Sequence, residues 1–182
     1  MTEVSERYAR VANGFQERFI EIQPDQWTSA TPCSDWDVQA LVTHAITTNC
    51  RIVALVNQSV STEVDNTDDL MTKWSLARHA VDSALEDSTQ ATTKVSGMFG
   101  EQTFESLVSR LLCGDLLFHT WDLARATGQD ESLDNDAVAK ALEFLTSIDD
   151  AIRRPGGFAP KITPSPNTDL QTQLLCFGGR QP

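Results

Sequence analysis

Apolar residues recur at steps of three and four along most of the chain, which is the spacing of one face of an α-helix. The first such stripe is formed by Tyr8, Val11, Ala12, Phe15, Phe19 and Ile22. Pro24 follows it, and a proline disfavours helical backbone at the residue before it. The pattern therefore predicts a first amphipathic helix that ends just before Pro24.

The same spacing predicts a second and a third helix after a loop rich in Ser, Thr and Pro. Ser34 and Asp37, three places apart, have the form of a capping box, so the second helix is expected to start near Trp36. Its stripe consists of Val38, Leu41, Val42, Ala45, Asn49, Ile52, Val53 and Val56. The stripe of the third helix, after a polar stretch, consists of Leu70, Trp74, Ala77, Val81 and Leu85.

The second half of the chain begins with a stretch that has no helical period. This stretch, Thr89–Gly100, predicts a loop with a short extended piece near Lys94–Phe99. A long fourth helix is predicted from about Thr103 to Thr127, and Gly128 is well placed to close its carboxyl end.

The remaining chain predicts shorter elements. A fifth helix is expected from about Asp134 to Ile152, then an extended, proline-punctuated segment over 153–167, and a last helix over 169–177. Four long amphipathic helices with these additions predict an all-α four-helix bundle with additional C-terminal helices. The length favours one domain over residues 1–182.

Charge and cysteine content narrow the classes of partner and location. Acidic residues outnumber basic ones by 26 to 14, for a formal net charge of −12, which repels nucleic acid and anionic lipid. A small-molecule substrate is therefore the expected partner.

The sequence has no apolar run long enough for a transmembrane helix and no signal-peptide core at its start. Four cysteines without a CxxC pair favour a reduced, cytoplasmic protein, and a homodimer is the default assembly for a small bundle.

Polar side chains interrupt the apolar stripe of the fourth helix. Continued at helical spacing from Leu112, the stripe reaches Asp115, then His119, then Asp122. Residues four apart share a helix face, and an ionised carboxylate in a core needs a partner. Two interpretations fit: an Asp–His or interhelical pair without chemistry, or a metal ion held by Asp115 and His119. Asp122 either orients one of these ligands from behind or pairs with Arg125.

His44 in the second helix lies close to the core face, so it is placed to face the fourth helix. With Asp115 and His119 it would form a two-histidine, one-carboxylate set, which suits zinc, nickel or ferrous iron and leaves coordination positions open. The alternative is a core or boundary histidine bonded to a backbone carbonyl. His79 is the reserve ligand, and Trp36 is expected only to fix the loop before the second helix.

Three segments of the chain resemble one protein family. WTSATPCSDWDVQALVTHAI resembles the W-x-x-x-TPC-x-x-W-x-V-x-x-L-x-x-H signature of the mycothiol-dependent maleylpyruvate isomerase metal-binding domain, of the DinB-like superfamily of four-helix metal proteins. DLLFHTWDLARATGQD is similar to the acid-x-x-x-H-x-WDLARATG block of that family. RRPGGFAP and LLCFGGRQP resemble its tail with a terminal G-R-x-P, so the likeness runs in order over nearly the whole chain.

The resemblance implies a metal site with His44 and His119 as histidine ligands and Asp115 as acidic ligand, where the isomerase has Glu. It implies a divalent metal, zinc first with nickel or iron as alternatives, and a low-molecular-weight thiol as cosubstrate. The implied function is a thiol-dependent transferase or isomerase of a small electrophilic molecule. The isomerase has a further C-terminal domain for which 182 residues leave no room, so the metal-binding bundle is what carries over.

Two other functions remain open, because the sequence offers no convincing general base beside the site. One is a non-catalytic metal- or small-ligand-binding protein. The other is a metal-dependent hydrolase that uses bound water. Metal content and thiol-dependent turnover distinguish the three.

Overall fold

Helices form most of the regular structure in the computed structural model, which describes residues 2–34, 36–57, 69–97, 100–153 and 158–182. The long helices of the first half are α1 (Glu3–Ile20), α2 (Val38–Asn57) and α3 (Leu70–Glu86). A short helix and an antiparallel strand pair follow, and they are α4 (Ser88–Thr92), β1 (Lys94–Gly97) and β2 (Gly100–Thr103). The second half contains α5 (Phe104–Leu107), a π-helical turn (Val108–Leu112), α6 (Cys113–Thr127), α7 (Asn135–Ser147), α8 (Asp149–Ile152) and α9 (Leu170–Phe177).

Four long helices enclose the core. Helix α2 packs on α3 and α6, and α1 packs on the other sides of α3 and α6, so each of the four has two neighbours. The largest wholly buried side chains come from all four of these helices and from α5, and include Tyr8, Phe15, Leu41, Trp74, Phe104 and Trp121. The predicted all-α bundle is confirmed. None of the described helices is long and apolar enough to cross a membrane.

The start of α2 differs from the prediction. Asp37 is the N-cap, because its Oδ1 accepts a hydrogen bond from the backbone N–H of Ala40 at 2.8 Å. The loop ahead of it is held in a tight turn, in which Trp36 N donates to Cys33 O at 2.9 Å, and Ala30 forms a β-bridge with Asp37. The predicted capping box that starts at Ser34 is therefore wrong, and the helix begins at Val38.

The predicted fourth helix corresponds to α5, the π-helical turn and α6, which follow one another without a break. Thr103 caps its start by accepting a hydrogen bond from Ser106 N at 3.2 Å. Gly128 closes its end in the left-handed conformation, with φ of 70°, as predicted. The π-helical turn was not predicted, and within it Leu111 is only partly buried.

The predicted loop Thr89–Gly100 is wrong over its first four residues, 89–92, which belong to α4. Asp87 caps α4 by accepting hydrogen bonds from the backbone N–H groups of Thr89 and Gln90, so a helical turn forms there. The extended piece is confirmed over Lys94–Gly97, which pairs with Gly100–Thr103. Residues 98 and 99 of that prediction lie outside the described residues.

The C-terminal elements fold back onto the bundle. Helix α7 begins close to its predicted start, with Asp134 as its N-cap, but it ends at Ser147. The backbone of Ile148 leaves helical values, so the prediction of one continuous helix to Ile152 is wrong. The described part of the predicted extended segment, 158–167, contains neither helix nor strand. Asp169 caps α9, which ends before Gly178 as expected.

Candidate metal centre

The three predicted ligand positions come together between α2 and α6. Oδ1 of Asp115 lies 3.3 Å from Nε2 of His44 and 3.5 Å from Nε2 of His119. One ligand atom from each residue lies within 4.8 Å of the other two. His79, the reserve ligand, is exposed on α3 and is not part of this cluster.

Helix geometry explains how two of the three residues meet. Asp115 and His119 are four residues apart on α6, so their side chains project from one face of the helix. His44 projects from α2, which packs directly against α6. The packing of two long helices therefore sets the distance between the His44 ring and the Asp–His pair.

The carboxylate of Asp115 is the electrostatic centre of the cluster. Its Oδ2 is buried and accepts no hydrogen bond from any residue in the described part of the chain. Burial by itself would raise the pKa of Asp115, but His119 and His44 hold that pKa well below its ordinary range. The group is thus a carboxylate with an unused oxygen, which is a suitable donor for a cation.

His119 is held from both sides by carboxylates. Its Nδ1 lies 3.3 Å from Oδ2 of Asp122, while its Nε2 faces Asp115. Burial by itself would lower the pKa of His119, but Asp115 and Asp122 raise it to about 9. Without a metal the ring therefore carries a proton on each nitrogen at neutral pH, and a cation at Nε2 would replace one of them.

Two of the three distances between donor atoms fit a small divalent cation. Nitrogen and carboxylate oxygen ligands lie about 2.0–2.2 Å from zinc, so neighbouring ligands of a tetrahedral ion are roughly 3.4 Å apart. The two distances from Asp115 Oδ1, 3.3 and 3.5 Å, match that separation. Three donors of this kind leave at least one position for a further ligand.

Asp122 is paired with Arg180 rather than with Arg125. Nη2 and Nε of Arg180 lie 2.7 and 3.2 Å from the two carboxylate oxygens of Asp122, which is fully buried. Arg125 instead binds Glu131 and covers the ring of Trp121 at 4.5 Å. Of the interpretations left open for Asp122, pairing with Arg125 is therefore wrong. The signal in the sequence that could have indicated Arg180 is the G-R-x-P motif at residues 179–182.

Trp36 is a second residue whose place at the site was missed. Its ring centroid lies 4.3 Å from that of His44 and 5.4 Å from that of His119. It also has the expected structural role, since its backbone oxygen accepts a hydrogen bond from the Thr31 hydroxyl at 2.8 Å. The tryptophan thus joins the loop before α2 to both imidazoles, a contact that its spacing from His44 in the sequence did not reveal.

Cys113 stands near Asp115 in the sequence but faces away from it. Its side chain is buried, and burial raises the pKa of its thiol to about 12. A thiol of that pKa is a poor ligand and a poor nucleophile at neutral pH.

Fold and side chains together define a helical bundle with a His–Asp–His cluster between two of its long helices. The family described as mycothiol maleylpyruvate isomerase N-terminal domain matches residues 9–94. The resemblance inferred from the sequence is thereby confirmed over residues 9–94, where the chain is similar to that family. The match contains Trp36 and His44, whereas Asp115 and His119 lie beyond it.

Two mycobacterial proteins are similar to almost the whole chain. They are the uncharacterized protein MT0763 of Mycobacterium tuberculosis strain CDC 1551 and the uncharacterized protein Rv0738 of strain H37Rv. Each is 26% identical over 179 residues, which cover 95% of this chain and 95% of the relative. No solved structure gives a significant match.

Proposed function

We propose that this protein binds a divalent metal ion, zinc first, through His44, Asp115 and His119, and that it is a thiol-dependent transferase or isomerase of a small electrophilic molecule. The observation that carries the proposal is the placement of Asp115 Oδ1 between the Nε2 atoms of two histidines from different helices, at 3.3 and 3.5 Å. Nickel and iron fit the same donors, because nitrogen and oxygen ligands accept several divalent metals.

The residues around the cluster prepare these donors. Asp122 accepts a hydrogen bond from Nδ1–H of His119, which leaves Nε2 as the nitrogen that can bind a cation. The Thr48 hydroxyl, 3.3 Å from Nε2 of His44, gives that side of the site a polar lining. The ring of Trp36 packs beside the two imidazoles. When bound, a divalent ion supplies positive charge that lowers the pKa of a coordinating thiol toward neutrality.

The thiol is proposed from the family name, which specifies mycothiol for the isomerase. The acidic surface, with a net charge of −12, supports a small molecule over a polyanionic partner as substrate. We also propose a cytoplasmic location, because none of the four cysteines is in a disulfide and reduced cysteines are typical of cytoplasmic proteins.

Metal content tests the first half of the proposal. Untagged protein purified with zinc is expected to retain close to one equivalent after gel filtration, measured by elemental analysis. His44→Ala, His119→Ala and Asp115→Asn should each lose most of it, because two donors bind zinc far more weakly than three. His79→Ala is the matched control, since His79 is exposed and outside the cluster. Full retention of zinc by His44→Ala and His119→Ala would refute the site.

Turnover tests the second half. Zinc-loaded protein should accelerate the loss of a small electrophile only when a low-molecular-weight thiol is present, and Asp115→Asn should abolish the acceleration. Hydrolysis of an ester or amide without thiol would instead favour a metal-dependent hydrolase. Zinc binding without turnover across several thiols would favour a non-catalytic metal-binding protein.

A further inference from the structure

The C-terminal tail, residues 177–182, has a fixed backbone where it passes α6. Gly178 lies so close to Phe118 that a Cβ atom there would come within 2.3 Å of the Phe118 ring. The next residue, Gly179, has φ of +80°, and Arg180 N donates a hydrogen bond to Leu175 O at 2.9 Å. The Cα atom of Arg180 is therefore held in one place relative to α6.

The guanidinium of Arg180 is also fixed. Its Nε and Nη2 bind the two oxygens of Asp122, and its Nη1 donates to the backbone oxygen of Gly178 at 2.9 Å. Nη2 also lies 3.8 Å from Sγ of Cys33, and the group covers the Phe118 ring at 5.0 Å. Only 13% of the Arg180 side chain is exposed. A two-point contact of this kind sets the plane of a carboxylate as well as its position.

The fixed carboxylate in turn holds a proposed metal ligand. Oδ2 of Asp122 receives Nη2 of Arg180 at 2.7 Å and lies 3.3 Å from Nδ1 of His119. The contact at Nδ1 sets the rotation of the imidazole, and so the direction in which its Nε2 points. A chain of contacts therefore runs from the tail through Asp122 to the ring of His119.

We infer that Arg180 is a positioning residue of the metal centre, which couples docking of the C-terminal tail to metal affinity by orienting Asp122 and, through it, His119. The inference rests on the proposed metal site. Loss of the guanidinium leaves both oxygens of a fully buried carboxylate without their strongest donors, and His119 loses its fixed partner. By reciprocity, a metal ion at His119 should hold the tail more firmly on α6.

A simpler role for Arg180 would be to fasten the tail, and Arg153 provides the matched control for that role. Nη2 of Arg153 donates to the backbone oxygen of Phe177 at 2.7 Å, and its guanidinium covers the Phe177 ring at 4.5 Å. It is joined to Asp149, and none of its described contacts involves Asp122 or His119. Arg153 thus binds the same tail without contacting the proposed metal centre.

The experiment compares zinc affinity in Arg180→Gln and Arg153→Gln, measured by competition with a chromophoric chelator. Arg180→Gln is expected to weaken zinc binding by about 10–100-fold, the usual effect of losing a group that orients a metal ligand. Arg153→Gln should bind zinc as the wild type does. Equal losses in the two variants would overturn the inference in favour of simple tail fastening. An unchanged affinity in Arg180→Gln would overturn it as well.

Two further measurements separate positioning from general damage. In an Asp122→Asn background, Arg180→Gln should cause no additional loss of zinc affinity, because both changes interrupt one chain of contacts. Cobalt(II) absorption should change in Arg180→Gln and be partly restored in Arg180→Lys, which keeps the charge but not the two-point contact. Arg180→Lys also serves as the test variant if Arg180→Gln does not fold. A full additional loss in the Asp122→Asn background, or an unchanged cobalt spectrum, would contradict the inference.

The same data distinguish the two proposals. If the wild type binds no zinc, the proposed function fails. If the wild type binds zinc and Arg180→Gln binds it equally well, only the role of Arg180 fails.

Discussion

A single carboxylate oxygen, Oδ1 of Asp115, faces two imidazoles that come from different helices. In the protein without metal, the proton of His119 provides the positive charge that this carboxylate needs. The pKa of His119 is accordingly raised from its ordinary value of 6.5 to about 9. A metal ion must displace that proton, so proton binding and metal binding compete at one nitrogen atom.

The raised pKa of His119 predicts how the stability of the metal-free protein depends on pH. The folded state holds this proton more tightly than the unfolded chain, so the stabilisation is fully present below pH 6.5 and is lost as the pH rises to about 9. In the presence of a chelator, the free energy of unfolding should fall over this interval. His119→Gln should show a flatter profile in denaturant titrations, and an equally steep profile in the variant would contradict the assignment.

At the scale of elements, tight contact between the tail and α6 positions Arg180. Gly178→Ala should lower the free energy of unfolding by about 1–3 kcal/mol, because its Cβ would overlap the Phe118 ring and force the two apart. Thermal or denaturant unfolding of the metal-free protein measures this change.

Gly114 provides the control for that substitution. It lies within α6, next to Asp115, and a Cβ there would meet nothing within 4 Å. Gly114→Ala should therefore stabilise the protein by about 0.5–1 kcal/mol, since alanine loses less backbone entropy in a helix. Destabilisation by both substitutions would indicate that neither effect has been assigned correctly.

The long helices could be predicted from the sequence, whereas helix α4 and the break after α7 could not. Helices α1, α3 and α6 each bury a stripe that repeats over several turns, so the periodic signal is strong. Helix α4 has five residues and depends on its cap, Asp87, while the break after α7 occurs at a single residue, Ile148. A pattern that needs several turns to be recognised cannot locate features of this size.

At the scale of the whole molecule, the proposed metal ion would join α2 to α6 and so stabilise the bundle. Free zinc at 100 times its dissociation constant should raise the free energy of unfolding by about 2.7 kcal/mol, with a corresponding rise in Tm that depends on zinc concentration. The rise should disappear in His44→Ala and persist in His79→Ala. Differential scanning fluorimetry across a zinc series measures it, and a wild-type Tm that does not respond would contradict metal binding to the folded state.

Those residues of the candidate metal centre that share a helix or belong to a recognised motif could be predicted from the sequence. Asp115 and His119 are neighbours on one face, and His44 ends a motif that the family resemblance supplied. Arg180 reaches Asp122 from 58 positions away in the sequence, by a fold of the tail that no local pattern encodes. Trp36 was recognised as a loop residue, but its contact with His119 depends on the packing of α2 against α6.

The π-helical turn at Val108–Leu112 changes which residues of the following helix, α6, point into the core. Each residue of an α-helix advances about 100° around the axis. Because the π-helical turn contains one extra residue, the position that points into the core is one residue later in the sequence after the turn than it would be in a regular α-helix. Leu112, Leu116 and Leu123 then occupy the wholly buried angle, and Asp115 is displaced to the flank, half-buried and beside His44. If the same residues formed a regular α-helix instead, Asp115 would rotate by about 100° into the direction that Leu116 now occupies, in the middle of the apolar interior and away from His44.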